Sequence, residues 1–217
     1  MHTLSLIDAA ADLLLGAACA GCRRPGPRLC VTCRAALDSA AFLVEERTSL
    51  RVAAANPYRP LLAHMIPSYK DDGALHLARF LGHRLAVAVR ALEPPPETVL
   101  VPVPSLPAAV RRRGFDHTRA LARGAARELR LSHANRLTRR RGGGDQARLG
   151  KRARRTNLAG AMRARRSAGE VVIVVDDLIT TGATLTEAVR ALEQGGALVW
   201  GAAVVGDVDD RGAFALV

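Results

Sequence analysis

Five β-branched residues stand in a row at Val171-Val172-Ile173-Val174-Val175. A run with no polar side to turn toward water fits a strand covered on both faces, as at the centre of a parallel sheet. The chain then passes through Asp176-Asp177-Leu178-Ile179-Thr180-Thr181-Gly182-Ala183-Thr184. A helical pattern follows over residues 184–194, closed by Gly195-Gly196. Residues 197–205 form another apolar strand. Strand, helix, strand in that order is a βαβ unit. Upstream, residues 74–92 carry Leu75, Leu77, Ala78, Leu81, Leu85 and Val89 at helical spacing, ended by Pro94-Pro95-Pro96. Residues 99–103 predict a buried strand ending in a proline turn, and residues 118–131 a helix. The predicted fold class is α/β, a mostly parallel sheet flanked by helices. Residues 38–56 read as a variable stretch, and no internal repeat is visible.

The 217 residues allow one ordinary domain plus a small appendage. Apolar residues make up 49%, which excludes global disorder. No run reaches the ~18 apolar residues of a membrane span, so no membrane insertion is expected. Residues 4–20 are apolar, and Ala18-Cys19-Ala20 mimics a cleavage site, but no Lys or Arg precedes them and Asp8 and Asp12 lie inside. An export signal needs a basic start and an uncharged centre. The expectation is a short amphipathic helix with Leu6, Ile7, Leu13 and Leu14 facing a core, in a cytoplasmic protein.

All four cysteines fall within fifteen residues as Cys19-x-x-Cys22 and Cys30-x-x-Cys33. Two such pairs present four thiolates from two tight turns and fill a tetrahedral zinc shell. Gly21, Pro25, Gly26 and Pro27 supply the turn chemistry. A four-thiolate site leaves no position for water, so the expected zinc is structural. The predicted organisation is an N-terminal helix plus zinc module over residues 1–50 and a main domain over 51–217.

Residues 176–184 lie where open α/β sheets bind ligands, after the carboxyl end of a parallel strand. Thr180, Thr181 and Thr184 offer hydroxyls, Gly182 lets the backbone wrap closely, and the following helix N-terminus favours an anion. Two adjacent acids beside a phosphate seat fit a ligand with hydroxyls some way from its phosphate, or a bridging cation. A sugar phosphate has that arrangement.

These residues resemble the phosphoribosyl pyrophosphate (PRPP) signature of type I phosphoribosyltransferases. The resemblance implies that Asp176 and Asp177 hold the ribose hydroxyls, and that Thr180, Thr181, Gly182, Ala183 and Thr184 hold the 5′-phosphate. Val101-Pro102-Val103-Pro104-Ser105 is similar to the pyrophosphate loop of amidophosphoribosyltransferases, which puts Pro104 and Ser105 at the substrate. Arg111-Arg112-Arg113-Gly114-Phe115-Asp116-His117, Leu137-Thr138-Arg139 and Gln146-x-x-Leu149-x4-Arg154-x-x-Asn157 resemble the competence protein F family. Tyr69-Lys70 fits the same pattern, and Lys70 is taken with the substrate-binding residues. That family couples a four-cysteine zinc module to a phosphoribosyltransferase domain, and the resemblance spans residues 19–205. It implies Mg²⁺ bound with PRPP, attack of a nucleophile on C1, and departure of pyrophosphate. In purine-salvage relatives an acid serves the purine at the position of Thr180, so a hypoxanthine- or guanine-type acceptor is disfavoured.

Residues 136–166 are dense in Lys and Arg, with Asp145 the one acid, within a net charge of +12. The segment reads as a solvated loop, as a loop closing over PRPP, or as a track for a nucleic-acid backbone. Arg113, Arg139 and Arg154 are the candidates to stabilise the leaving pyrophosphate. Aromatic residues are 3%, which weakens any base-stacking platform. His117 and Lys70 are acid/base candidates, His117 equally a loop histidine bonded to a carbonyl. No serine–histidine–acid constellation is apparent, so a hydrolase is not expected. Three readings remain: a phosphoribosyltransferase with PRPP as ligand, a DNA-handling factor for single-stranded DNA or DNA-processing proteins, and a PRPP-sensing adaptor. A homodimer stays open.

Overall fold

The computed structural model describes residues 18–38, 43–47, 50–139 and 160–208. Helix α1 (Val31–Asp38) leads to strands β1 (Leu43–Arg47) and β2 (Leu50–Pro57), then through a single wide turn (Tyr58–Leu62) to α2 (Ala63–Asp71) and α3 (Leu77–Ala91). Strand β3 (Val99–Pro102) precedes α4 (Pro107–Arg113), α5 (His117–Leu129) and β4 (Ser132–His133). Short strands β5 (Leu137–Arg139) and β6 (Met162–Ala164) form an antiparallel pair of their own. The chain continues through β7 (Val171–Ile179), α6 (Ala183–Gln194) and β8 (Leu198–Asp207).

The main sheet has the order β1-β2-β8-β7-β3-β4. Five strands are parallel, and β1 pairs antiparallel with β2 at the edge. The α/β class read from the residue pattern therefore holds. Side-chain alternation along β7 assigns its two faces. Ile173 and Val175 enter the layer of α2, α3 and α5 with Leu81, Leu85 and Leu121, whereas Val172 and Val174 pack with Leu185, Ala188 and Leu192 of α6. Both faces of this strand are covered, which is why it contains no polar residue before Asp176.

Three expectations need correction. Strand β7 does not stop at Val175: pairing with β8 continues through Asp176↔Val204 to Ile179↔Asp207, so the acids belong to the strand end. Residues 38–56 are not simply variable, because residues 50–57 form a buried strand beside β8. Their many alanines (Ala53, Ala54, Ala55) hide that strand, since small residues carry little hydrophobic signal. The helix at 74–92 occurs, trimmed to 77–91, and the one at 118–131 occurs over 117–129, starting one residue earlier and ending two residues earlier. The expected N-terminal helix lies mostly outside the described residues. Among the described residues, no helix is long and apolar enough to cross a membrane.

The cysteine-bearing segment is packed onto the main core. Leu37 of α1 sits in it, Arg34 lies over the Phe80 ring at 5.1 Å, and Asn56 Nδ2 donates to the Leu37 carbonyl at 2.8 Å. Arg84, only 3% exposed, secures this junction by donating to Asn56 Oδ1 at 2.9 Å and the Ala55 carbonyl at 3.1 Å, with Asp38 3.5 Å away. Removing one member of such a buried set strands its partners without water. Arg84→Leu is expected to cost about 2–4 kcal/mol, read as a lower urea midpoint. An unchanged midpoint would show that the junction contributes nothing to stability.

Candidate functional site

From β3 the chain moves toward β4, and from β7 toward β8, on opposite sides. The sheet order thus reverses between β3 and β7, and the crevice at their carboxyl ends is where such sheets bind ligands. Two loops meet there: residues 103–106 after β3, tied by the Val103 N–H to the Val175 carbonyl at 2.9 Å, and residues 180–182 after β7.

Asp177 continues the Ile173–Val175 row and is carried into the helix layer, where it is 4% exposed. Its Oδ2 pairs with Lys70 Nζ of α2, and its Oδ1 lies 3.7 Å from His117 Nε2 of α5. Burial would raise this carboxyl, but the nearby His117 ring and the Lys70 charge outweigh it and hold Asp177 well below the ordinary carboxylate range. Asp176 behaves oppositely: burial and the neighbouring Asp177 charge push its carboxyl well above that range. Its Oδ1 accepts from the Asp177 N–H at 2.8 Å and from Thr118 Oγ1 at 3.4 Å. Of the two acids, Asp177 is the one kept ionised.

His117 opens α5 and is buried, its ring crossing the space between the two loops. Nδ1 lies 3.1 Å from Ser105 Oγ and 3.3 Å from Arg113 Nη1. Asp116 caps the helix by accepting from the Arg119 N–H, and it also accepts from Ser105 Oγ at 3.0 Å. The β3 loop and the start of α5 are thereby locked together. Arg113 is directed inward, its Nε donating to Asp71 at 3.0 Å. Arg139 donates through Nε to the Pro104 carbonyl at 2.8 Å and lies within the fields of Asp176 and Asp116.

The loop after β7 enters α6 through Gly182, whose φ of 77° lies in the left-handed region that favours glycine. No side chain caps the first turn of α6; the Ala183 N–H reaches only Thr181 Oγ1, at 3.5 Å. Thr180 and Thr181 are exposed and Thr184 half-buried. The N-terminus of α6, an end of a helix that favours negative charge, follows the acid pair by one loop.

Of the residues singled out by sequence, Lys70, Pro104, Ser105, Arg113, Arg139, Asp176, Asp177 and residues 180–184 surround one crevice. Arg154, with Gln146, Leu149 and Asn157, lies outside the described residues. The flanks of that segment are strands β5 and β6, anchored where buried Glu187 of α6 accepts from the Met162 N–H at 2.8 Å. Ser105, His117 and Asp177 lie near one another, but the Ser105 hydroxyl is shared with Asp116 and His117 Nε2 stands 3.7 Å from Asp177. Asp71 and Thr118 were missed, because ordinary helix residues give no signal until the helices pack. Asp116 was legible as a helix-capping acid two residues ahead of Thr118.

The four cysteines lie apart from this crevice. Their sulfurs are all within 4.8 Å of one another, with Cys22 and Cys30 Sγ 3.9 Å apart. Bonds of ~2.3 Å in a tetrahedron require S···S edges of roughly 3.8 Å, so the donor set fits zinc. The Cys30 N–H points at Cys19 Sγ (3.3 Å) and the Cys33 N–H at Cys30 Sγ (3.4 Å). Burial opposes ionisation of Cys19, but surrounding backbone N–H donors bring its thiol down to about 6. Gly21 is required by space, since a Cβ there would meet Cys33 Sγ at 3.0 Å. His64 of α2 bonds the Gly21 carbonyl at 2.8 Å, joining the cluster to the helix that carries Lys70.

Residues 110–213 match the family model of the phosphoribosyl transferase domain. Among solved structures, the chain is similar to the glutamine PRPP amidotransferase of B. subtilis at 21% identity, over 58% of this chain and 25% of that one, with a TM-score of 0.40. It is similar to Leishmania donovani UMP synthase at 16% identity, over 79% of this chain and 30% of that one, with a TM-score of 0.40. Adenine phosphoribosyltransferase from Leishmania donovani aligns at 16% identity, over 80% of this chain and 66% of that one, with a TM-score of 0.40. The chain thus spans well under half the length of the first two. A comparison with curated proteins gives no match. The parallel sheet flanked by helices, with the matched residues running from α4 past β8, is the type I phosphoribosyltransferase fold.

An acid whose carboxyl is raised by folding costs stability in full above that raised value; the cost falls as pH drops through it and is gone only below the ordinary carboxylate value. Asp176→Asn, which keeps an acceptor for the Asp177 N–H, is therefore expected to raise the Tm of the ligand-free protein at neutral pH. The gain is on the order of 1 kcal/mol, a few degrees, and shrinks as pH approaches the ordinary carboxylate range. Thermal melts between pH 5 and 8 test this; a lower Tm for the variant throughout would contradict it.

Proposed function

We propose that this protein is a PRPP-binding phosphoribosyltransferase of the competence protein F type, transferring the phosphoribosyl group to an acceptor with release of pyrophosphate. The observation that carries the reading is the adjacency, in one crevice, of the acid pair and the Thr180-Thr181-Gly182 anion seat, inside the residues that match the transferase-domain model. In this reading Asp176 and Asp177 take the ribose hydroxyls, and residues 180–184 take the 5′-phosphate. Pro104, Ser105, Lys70 and Arg139 line the pyrophosphate side, where positive charge favours the departing anion. Mg²⁺ arriving with PRPP supplies neutralisation of its charge. Thr180 has no carboxyl with which to hold a purine, so the acceptor is of another kind. Residues 1–50 serve as a zinc module that braces the domain of residues 51–217, which fits a reducing cytoplasm.

Calorimetric titration of PRPP with Mg²⁺, with ribose 5-phosphate as control, tests the site. Tight Mg²⁺-dependent binding is expected for the wild type, and none for Asp176→Asn combined with Asp177→Asn in folded protein. Unchanged binding by the double variant would remove the site assignment. The purified protein should hold one zinc per chain, lost with solubility in Cys22→Ser, while the sugar-phosphate site persists. Metal analysis finding no zinc in the wild type would refute the module.

A DNA-handling role is favoured by the net charge of +12 and the arginine density of residues 136–166. Salt-dependent retention on single-stranded DNA, with log affinity falling linearly against log salt, is the result that would support it over a purely PRPP-sensing adaptor.

A further inference from the structure

Five side chains close a loop of alternating charge through the crevice. Asp71 accepts from Arg113 Nε at 3.0 Å, Arg113 Nη1 meets His117 Nδ1 at 3.3 Å, His117 Nε2 faces Asp177 Oδ1 at 3.7 Å, and Asp177 Oδ2 pairs with Lys70. Lys70 and Asp71 are consecutive in α2, so the backbone completes the circuit. Tyr69 joins from the same helix, donating from its hydroxyl to the His117 carbonyl at 3.3 Å.

The circuit admits one state of the imidazole. A guanidinium can only donate, so Nδ1 must accept from Arg113. The single ring proton then sits on Nε2, toward Asp177 Oδ1 and Thr118 Oγ1, the latter 3.2 Å away. Thr118 Oγ1 accepts from Nε2–H and passes its own proton toward Asp176 Oδ1 at 3.4 Å. Ser105 Oγ lies 3.0 Å from Asp116 Oδ1 and 3.1 Å from Nδ1, and in this state its one proton is shared between these two acceptors. A proton on Nδ1 would set like donors against each other at the Arg113 contact. Asp177 Oδ2 is ion-paired with Lys70, while the His117 Nε2–H, through Thr118, and the Asp177 N–H both act on Asp176 Oδ1.

We infer that His117 is a positioning residue whose Nε2-protonated ring, acting through Thr118, fixes Asp176 Oδ1 and leaves Asp176 Oδ2 for a sugar hydroxyl of the ligand. The inference deepens the PRPP reading above and rests on it for the identity of the ligand. It makes the two acids unequal: Asp177 is ion-paired with Lys70 before the ligand arrives, and Asp176 is oriented by the His117–Thr118 chain.

Nitrogen-15 correlation spectra of the histidines read the ring directly, with the His117 signal assigned by its loss in His117→Gln. The expected result is a protonated Nε2 and a bare Nδ1 in the wild type, with Arg113→Gln producing a mixture of tautomers. An Nδ1-protonated ring in the wild type overturns the inference whether or not any ligand binds. Calorimetry with PRPP and Mg²⁺ then reads the consequence. His117→Gln, whose amide can accept from Arg113 and donate to Thr118, should bind within about threefold of wild type, and His117→Leu at least about tenfold more weakly. Equal affinity of a folded His117→Leu overturns the positioning role. If His117→Leu does not fold, a His117→Gln affinity reduced as far as tenfold overturns it instead. Wild-type protein with the expected tautomer but no PRPP binding would sink the PRPP reading, and with it the ligand half of this inference.

Discussion

The structure depends on the burial of one strand. β7 is covered on both faces, so its side chains cannot face water until the strand passes beyond the packed layers. The acid pair begins where that cover ends. Because the alternation of a strand is strict, Asp177 is still directed into the helix layer. A carboxylate there must be compensated or it will take up a proton. Lys70 of α2 and His117 of α5 provide the compensation, carried there by helices whose apolar residues are seated in the core.

The same logic explains the division of labour in the pair. Two carboxyls on consecutive residues repel, and a cation can favour only the one that it reaches. Lys70 reaches Asp177, so the cost of the pair falls on Asp176. Asp176 accepts from the Asp177 N–H and from Thr118, yet burial and the Asp177 charge still make its ionised form unfavourable. In the PRPP reading proposed above, stability and ligand binding therefore pull in opposite directions at that residue.

The cysteine segment is integrated rather than appended. Its turn holds His64 of α2 through the Gly21 carbonyl, and α1 delivers Leu37 into the core and Asp38 to the buried Arg84. One end of α2 therefore meets the cluster, and the other presents Tyr69, Lys70 and Asp71 to the crevice. A helix of nine residues is stiff over that distance of about 13 Å, so the two regions share one mechanical element.

The local chemistry of the chain was legible residue by residue. An uninterrupted β-branched run can only be a covered strand. An acid pair, threonines and a glycine stand together before a helix by their order in the chain alone, and two CxxC pairs bring four thiols together through their own turns. These are short-range patterns, and neighbouring residues determine them. The alanine-rich β2 escaped notice because its side chains carry almost no pattern of their own, and the pairing with β8 makes it a strand. The end of β7 was placed too early for a similar reason, since hydrogen bonds to β8 and not propensity extend it through the acids. The ring of Asp71, Arg113, His117, Asp177 and Lys70 joins residues more than a hundred positions apart. No spacing rule could assemble it, because it exists only once α2, α4 and α5 have packed against one end of the sheet. The sequence by itself determined what the site is made of; the tertiary structure decided which acid is charged and which nitrogen of His117 carries the proton, because both are set by groups that meet only through packing.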